Sequence, residues 1–128
     1  MSVRNYADLV VWQKAMDFVE VVYRVTSDWP KHELYGLTNQ TRCAVVSIPA
    51  NIAEGHERSN KDLLRYLTIA HGSLREVETF LLIAKRLTYS DAQMTDSLLE
   101  QAAHVSRLLH GFKRHLTTEM AHGIATNG

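Results

Sequence analysis

The chain has 128 residues, and 14 Lys plus Arg balance 14 Asp plus Glu, so its formal charge is zero. That length fits one domain, and the neutral balance excludes a histone-like basic coat while leaving local patches open. A 45% hydrophobic and 22% charged composition excludes a disordered tail, and the single Cys43 excludes a disulfide scaffold.

The first predicted helix carries two apolar stripes. Leu9, Trp12, Met16, Val19, Tyr23 and Thr26 form one; Val11, Ala15, Phe18, Val22, Val25 and Trp29 form the other, about 100° around the axis. Pro30 after Trp29 ends this helix, and Pro30 or Lys31 can open the next. In the second helix Leu34, Leu37, Thr41, Ala44, Val45, Ile48 and Ile52 make a core face that Pro49 interrupts. Proline offers no N–H to the Val45 carbonyl, so a bend is expected, with the Ser47 hydroxyl near a freed carbonyl. Beside that face run Gln40, Cys43, Ser47, Asn51 and Glu54, with Glu54 four residues before Arg58 in ion-pair order. This stripe is either a solvated face or a polar seam between helices or subunits. Cys43, with no base at a telling spacing, reads as a small buried hydrophobe.

Ser59 and Asp62 mark the start of the third helix. Its stripe is Leu63, Leu67, Ala70, Leu74, Val77, Leu81 and Ala84, widened by Tyr66, Ile69, Phe80, Ile83 and Leu87. Ser90 and Gln93 fit a capping box for the fourth helix, whose stripe is Leu98, Ala102, Val105, Leu109, Phe112 and Leu116. Gly111 weakens that pattern locally. The expected layout is one all-α domain over residues 1–118, followed by a frayed or disordered tail over 119–128.

Four helices of roughly 20 to 28 residues joined by short connections predict an antiparallel up-down-up-down bundle. A monomeric bundle helix needs one apolar stripe. The extra stripes on the first and third helices imply either a thick core or burial against a second copy, and the reading favours the oligomer.

The run Ser47-Ile48-Pro49-Ala50-Asn51-Ile52-Ala53-Glu54-Gly55, then Arg58-Ser59, resembles the signature of a bacterial four-helix-bundle family encoded in intervening sequences of the 23S ribosomal RNA gene. Leu9-Val10-Val11-Trp12-Gln13-Lys14-Ala15 and Glu33-Leu34-Tyr35-Gly36-Leu37-Thr38-Asn39-Gln40 extend the resemblance, as does Ile69-Ala70-His71-Gly72-Ser73-Leu74-Arg75-Glu76-Val77-Glu78-Thr79. It implies a homopentamer, with Ser47, Pro49, Asn51, Glu54 and Gly55 in structural or interface roles. The chain is also similar to the accessory variability protein of diversity-generating retroelements, which works with a reverse transcriptase and binds nucleic acid. That relative is basic, and this chain is neutral.

The residues give enzyme chemistry little footing. The Glu-x-x-His spacing of di-iron bundles occurs at Glu119 and His122 alone, in the expected tail, and Glu100 with His104 reads as a surface pair. His56-Glu57 lacks a second zinc-protease His, and no Gly-rich phosphate loop is present. No cofactor is expected. With no apolar run of about 18 residues and no signal-peptide pattern, a cytoplasmic protein with no membrane role is expected.

Antiparallel packing would gather Arg4, Arg58, Lys61, Arg65, Lys113 and Arg114 at one pole, with His56, His110 and His115 nearby and Asp8, Glu54, Glu57, Asp62 and Glu119 opposing them. An ordinary mixed-charge end and a phosphate-binding rim both fit. Repetition around an oligomer favours the rim, which would read backbone and shape rather than base sequence. The expected function is that of a non-enzymatic, nucleic-acid-associated accessory protein binding RNA or DNA; the alternative is a protein-interaction scaffold with no nucleic-acid role.

Overall fold

Val11, Ala15, Phe18 and Val22 repeat at three- and four-residue steps and form the buried face of α1 (Val10–Thr26). Ala44, Val45, Ile48 and Ile52 do the same for α2 (Leu37–His56). In α3 (Asn60–Arg86) the whole predicted stripe from Leu63 to Ala84 is buried. α4 (Ala92–Asn127) contributes Leu98, Ala102, Val105, Leu109 and Leu116, while Phe112 is half-buried. The structure is a computed structural model that describes the backbone of residues 5–127 and the side chains of 5–123. Short 3-10 turns at Tyr6–Asp8 and Lys31–Glu33 precede α1 and α2, and the described residues contain no strand.

α1 packs on α2 and α4, and α3 packs on α2 and α4. Helices adjacent in sequence are therefore adjacent in space, and α4 closes the ring onto α1. This is the single-domain four-helix bundle that the periodicity predicts. The α2–α3 contact is the most extensive. Gly55 permits the close approach next to the turn, because a Cβ there would lie 2.6 Å from the Tyr66 Cβ and 3.0 Å from a Leu63 methyl.

Several local expectations need correction. α1 has 17 residues and α4 has 36, outside the expected range, and α4 stays helical through the 119–127 segment and across Gly111. The last buried apolar side chain among the described residues is nevertheless Leu116. Of the two stripes on α1, the one through Phe18 enters the core, whereas Met16 and Tyr23 on the other stay exposed. Leu34 lies ahead of α2 and is exposed. Cys43 is exposed rather than buried, because α2 turns that side outward; its thiol lies 3.7 Å from Asn39 Oδ1.

The helix ends follow capping chemistry. Ser59 caps α3 by accepting from the Asp62 N–H at 3.3 Å, as its position predicts. At α4 the cap is Asp91, which accepts from the Met94 N–H at 2.7 Å. A carboxylate also suits the positive end of the helix dipole. Ser90 instead accepts from the indole N–H of buried Trp29 at 2.7 Å, giving that donor the partner burial demands. α3 ends in a Schellman turn: the Tyr89 N–H reaches the Ala84 carbonyl at 2.8 Å and the Thr88 N–H reaches Lys85 at 3.1 Å. Thr88 takes the left-handed position at φ 59°, where glycine is the usual residue.

Candidate nucleic-acid interface

The four helix ends expected to share a pole do so. A cavity of about 490 Å³ is lined by Leu9 before α1, His56 and Arg58 after α2, Asn60 and Leu63 opening α3, and Phe112, His115, Leu116 and Glu119 of α4. Around this end Lys61, Arg65 and Arg114 are exposed and Lys113 is half-buried. Among the described residues none of the four is in an ion pair. Arg65 lies 4.8 Å from the Tyr66 ring centroid, which steadies the guanidinium without neutralising it. Arg4 lies outside the described residues.

Arg58 behaves differently. It binds Glu54 at 2.5 Å, the i,i+4 pair read from the sequence, and lies 5.1 Å from the Tyr66 ring centroid. The Glu54 hydrogen bond holds its pKa above the ordinary value. Its charge is thus largely committed within the chain. His115 is likewise 3.2 Å from Glu119.

Ser47 and Gly55 of the signature serve the α2–α3 contact. The Ser47 and Ser73 hydroxyls meet at 2.5 Å across the helix pair, so Ser47 does not turn back to a carbonyl as expected. Asn51 donates its side-chain amide back to the Ser47 carbonyl at 2.8 Å. Pro49 is buried within a continuous α2. It faces α1, where Tyr6, Trp12, Met16, Val19, Val46, Pro49, Ala50 and Ala53 line an apolar groove of about 330 Å³.

A second cluster in the α3–α4 groove escaped the sequence reading. His71 is only 8% exposed, and its Nε2 lies 2.9 Å from the Ser106 hydroxyl and 3.2 Å from Arg75 Nη2. The His110 ring meets the His71 ring edge-on at 4.3 Å. Burial, and then the neighbouring His110, Arg75 and Lys113, push the His71 pKa down to about 4. The only available signal was the i,i+4 spacing of His71 with Arg75 and of Ser106 with His110, which does not reveal that the two pairs face each other.

No group of three or more His, Cys, Asp or Glu among the described residues is placed to hold a metal ion. Among those residues, no helix is long and apolar enough to cross a membrane.

The fold matches that of a protein of unknown function from the S23 ribosomal protein family of Bacteroides thetaiotaomicron. The TM-score is 0.73 at 23% identity, over 81% of this chain and 98% of that one. No curated protein matches the chain. The model of the 23S rRNA-intervening sequence proteins matches residues 7–111, most of the bundle, and the chain therefore belongs to that family.

Proposed function

We propose that this protein is a non-enzymatic accessory protein that binds nucleic acid through its basic pole and works as a homo-oligomer. The supporting observation is that Lys61, Arg65, Lys113 and Arg114 share one end of the bundle, each without an ion pair among the described residues. In a molecule of zero net charge, cations left unneutralised together suit phosphate. Such contacts position a backbone rather than read bases, so the ligand class is structured RNA or DNA with little sequence preference.

The oligomer is assigned to the opposite resource, the apolar α1–α2 groove. Met16 is 37% exposed, Val46 39% and Tyr23 40%, an apolar surface that burial against further copies would remove from water. The family resemblance argues for a ring of five, which would repeat the basic pole around one rim and multiply weak phosphate contacts.

A salt-titrated anisotropy assay with a structured RNA tests the reading. Affinity should fall linearly on logarithmic axes as salt rises, and K61E/R65E should weaken binding and flatten that slope. Both substitutions place acids in the first turns of α3, where the helix dipole tolerates them. Reversal of Lys31 and Arg86, exposed toward the other end, is the control; Lys85 is unsuitable because it pairs with Asp96 at 3.2 Å. Equal losses from both variants would mean diffuse electrostatics. No binding by the parent at low salt would leave the protein-interaction scaffold as the better account. Sedimentation equilibrium showing a stable monomer at micromolar concentration would refute the ring.

A further inference from the structure

We propose that Arg75, His110 and Lys113 form a phosphodiester-binding notch in the α3–α4 groove, extending the basic pole along the side of the bundle. The inference rests on the nucleic-acid reading above and adds a second, built anchoring point to it.

Arg75 is the centre. Its Nη1 binds Glu78 at 2.6 Å, its Nη2 donates to the Ser106 hydroxyl at 3.3 Å, and the same Nη2 lies 3.2 Å from His71 Nε2. These bonds come from two helices and hold the guanidinium in one place while its side chain stays 55% exposed. An arginine already immobilised loses little further freedom when it binds a phosphate, and these bonds use at most three of its five N–H groups, leaving donors on Nε and Nη1 for a phosphate oxygen.

His71 supplies the support. Arg75 has no acceptor, so its 3.2 Å contact with Nε2 is a hydrogen bond only when that nitrogen lacks a proton. A protonated ring would repel Arg75 and destroy the arrangement. The low His71 pKa agrees with this: burial lowers it most, and His110, Arg75 and Lys113 lower it further. Glu78 offsets Arg75 as Glu54 offsets Arg58, so Lys113 carries the net charge of the notch and Arg75 contributes fixed donors. His110 is exposed and fixed edge-on to His71, so its ring can add a donor to a bound phosphate.

The spacing fits a track. Fourteen residues of α3 separate Arg75 from Lys61, about 20 Å at 1.5 Å per residue, and Lys113 lies one turn of α4 beyond His110 toward the pole. A backbone that engages the pole and follows the groove would meet Lys113, His110 and Arg75 in turn.

The experiment measures RNA affinity against salt for the parent, K113Q, R75Q and K61E/R65E, with the His110 ring resonance followed by NMR during titration of a short oligonucleotide. R75Q is the discriminating variant, because Lys113 also belongs to the pole; K113Q leaves the His71–Arg75–Ser106 contacts intact and shows what loss of a pole cation costs, and circular dichroism checks that R75Q keeps the fold. K113Q and R75Q should each weaken binding several-fold and lower the salt slope by about one, as removal of a single phosphate-binding cation requires. The His110 resonance should shift saturably in the parent. Parental affinity and slope in R75Q with helix content unchanged, alongside weakened binding in K61E/R65E and K113Q, would overturn the notch and leave the nucleic-acid reading standing. No binding by the parent at low salt would overturn both.

Discussion

Replacing Gly55 with alanine should destabilise the bundle, against the direction that helix propensity alone predicts. In an open helical position Gly→Ala gains about 1 kcal/mol. At Gly55 the new methyl would lie 2.6 Å from the Tyr66 Cβ, against an ordinary carbon–carbon separation of about 3.5–4.0 Å. Neither atom sits at the end of a flexible side chain, so α2 and α3 must separate by about 1 Å. Overpacking of this kind costs about 1–3 kcal/mol. Taking the upper part of that range, because backbone must move, the net loss is about 2 kcal/mol. Gly72 and Gly111 provide internal controls, since a Cβ at either meets nothing within 4 Å. Urea denaturation of the three alanine variants at one protein concentration gives the comparison, with m-values reporting whether the transition stays cooperative. G72A and G111A should gain stability while G55A loses it. If all three gain, the α2–α3 approach is not as close as the packing at Tyr66 requires, and the reasoning fails.

Other perturbations test other parts of the molecule. His71 has its pKa depressed from 6.5 to about 4, so the unfolded chain binds the proton more readily; stability is complete above the unfolded value and falls as pH drops from 6.5 toward 4, by about 3 kcal/mol in all. Denaturation at pH 7 and pH 4.5 should show a larger difference for the parent than for His71→Asn; identical differences would refute it. Thr88→Gly should raise stability by about 1 kcal/mol in thermal melts, because a β-branched residue sits at φ 59°; a loss would mean that the hydroxyl matters more than the backbone. Phe18→Ala should cost about 3–5 kcal/mol, as expected of a fully buried ring, whereas Met16→Glu should leave the protomer folded and lower the sedimenting mass. Pro49→Ala should keep helix content in circular dichroism and weaken assembly; an unchanged mass would make the proline incidental to the interface.

What could be read in advance followed from how far each pattern depended on its partners. The α3 and α4 stripes were legible because their apolar residues mark one face strongly enough to declare the core. α1 was ambiguous because both its stripes are apolar, and the choice between Phe18 and Met16 is made by where α2 and α4 lie. The Asp91 cap was missed because Ser90 matches the capping pattern equally well until the Trp29 indole claims its hydroxyl. Gly55 stood inside a recognisable signature, yet its reason is the Tyr66 side chain eleven residues on, in the next helix. Of the proposed interface, Lys61, Arg65, Lys113 and Arg114 were legible because connection lengths alone bring those helix ends together. The His71 cluster was not, since it needs the axial register between α3 and α4.

The α2–α3 connection has a kinetic consequence. Residues 57–59 alone separate the two helices, Ser59 caps the second of them, and the glycine contact lies immediately beside the turn. Closing so short a loop costs little chain entropy, so this hairpin can form before any distant part of the chain is engaged. The packing of α1 on α4 spans nearly the whole chain and must come late. A protomer caught between those stages would have its central hairpin assembled and its outer helices loose, with the Val45 and Leu74 faces open to water. For a molecule that displays further apolar surface even when finished, the interval before α1 and α4 close is when misassociation with other chains would compete most with folding.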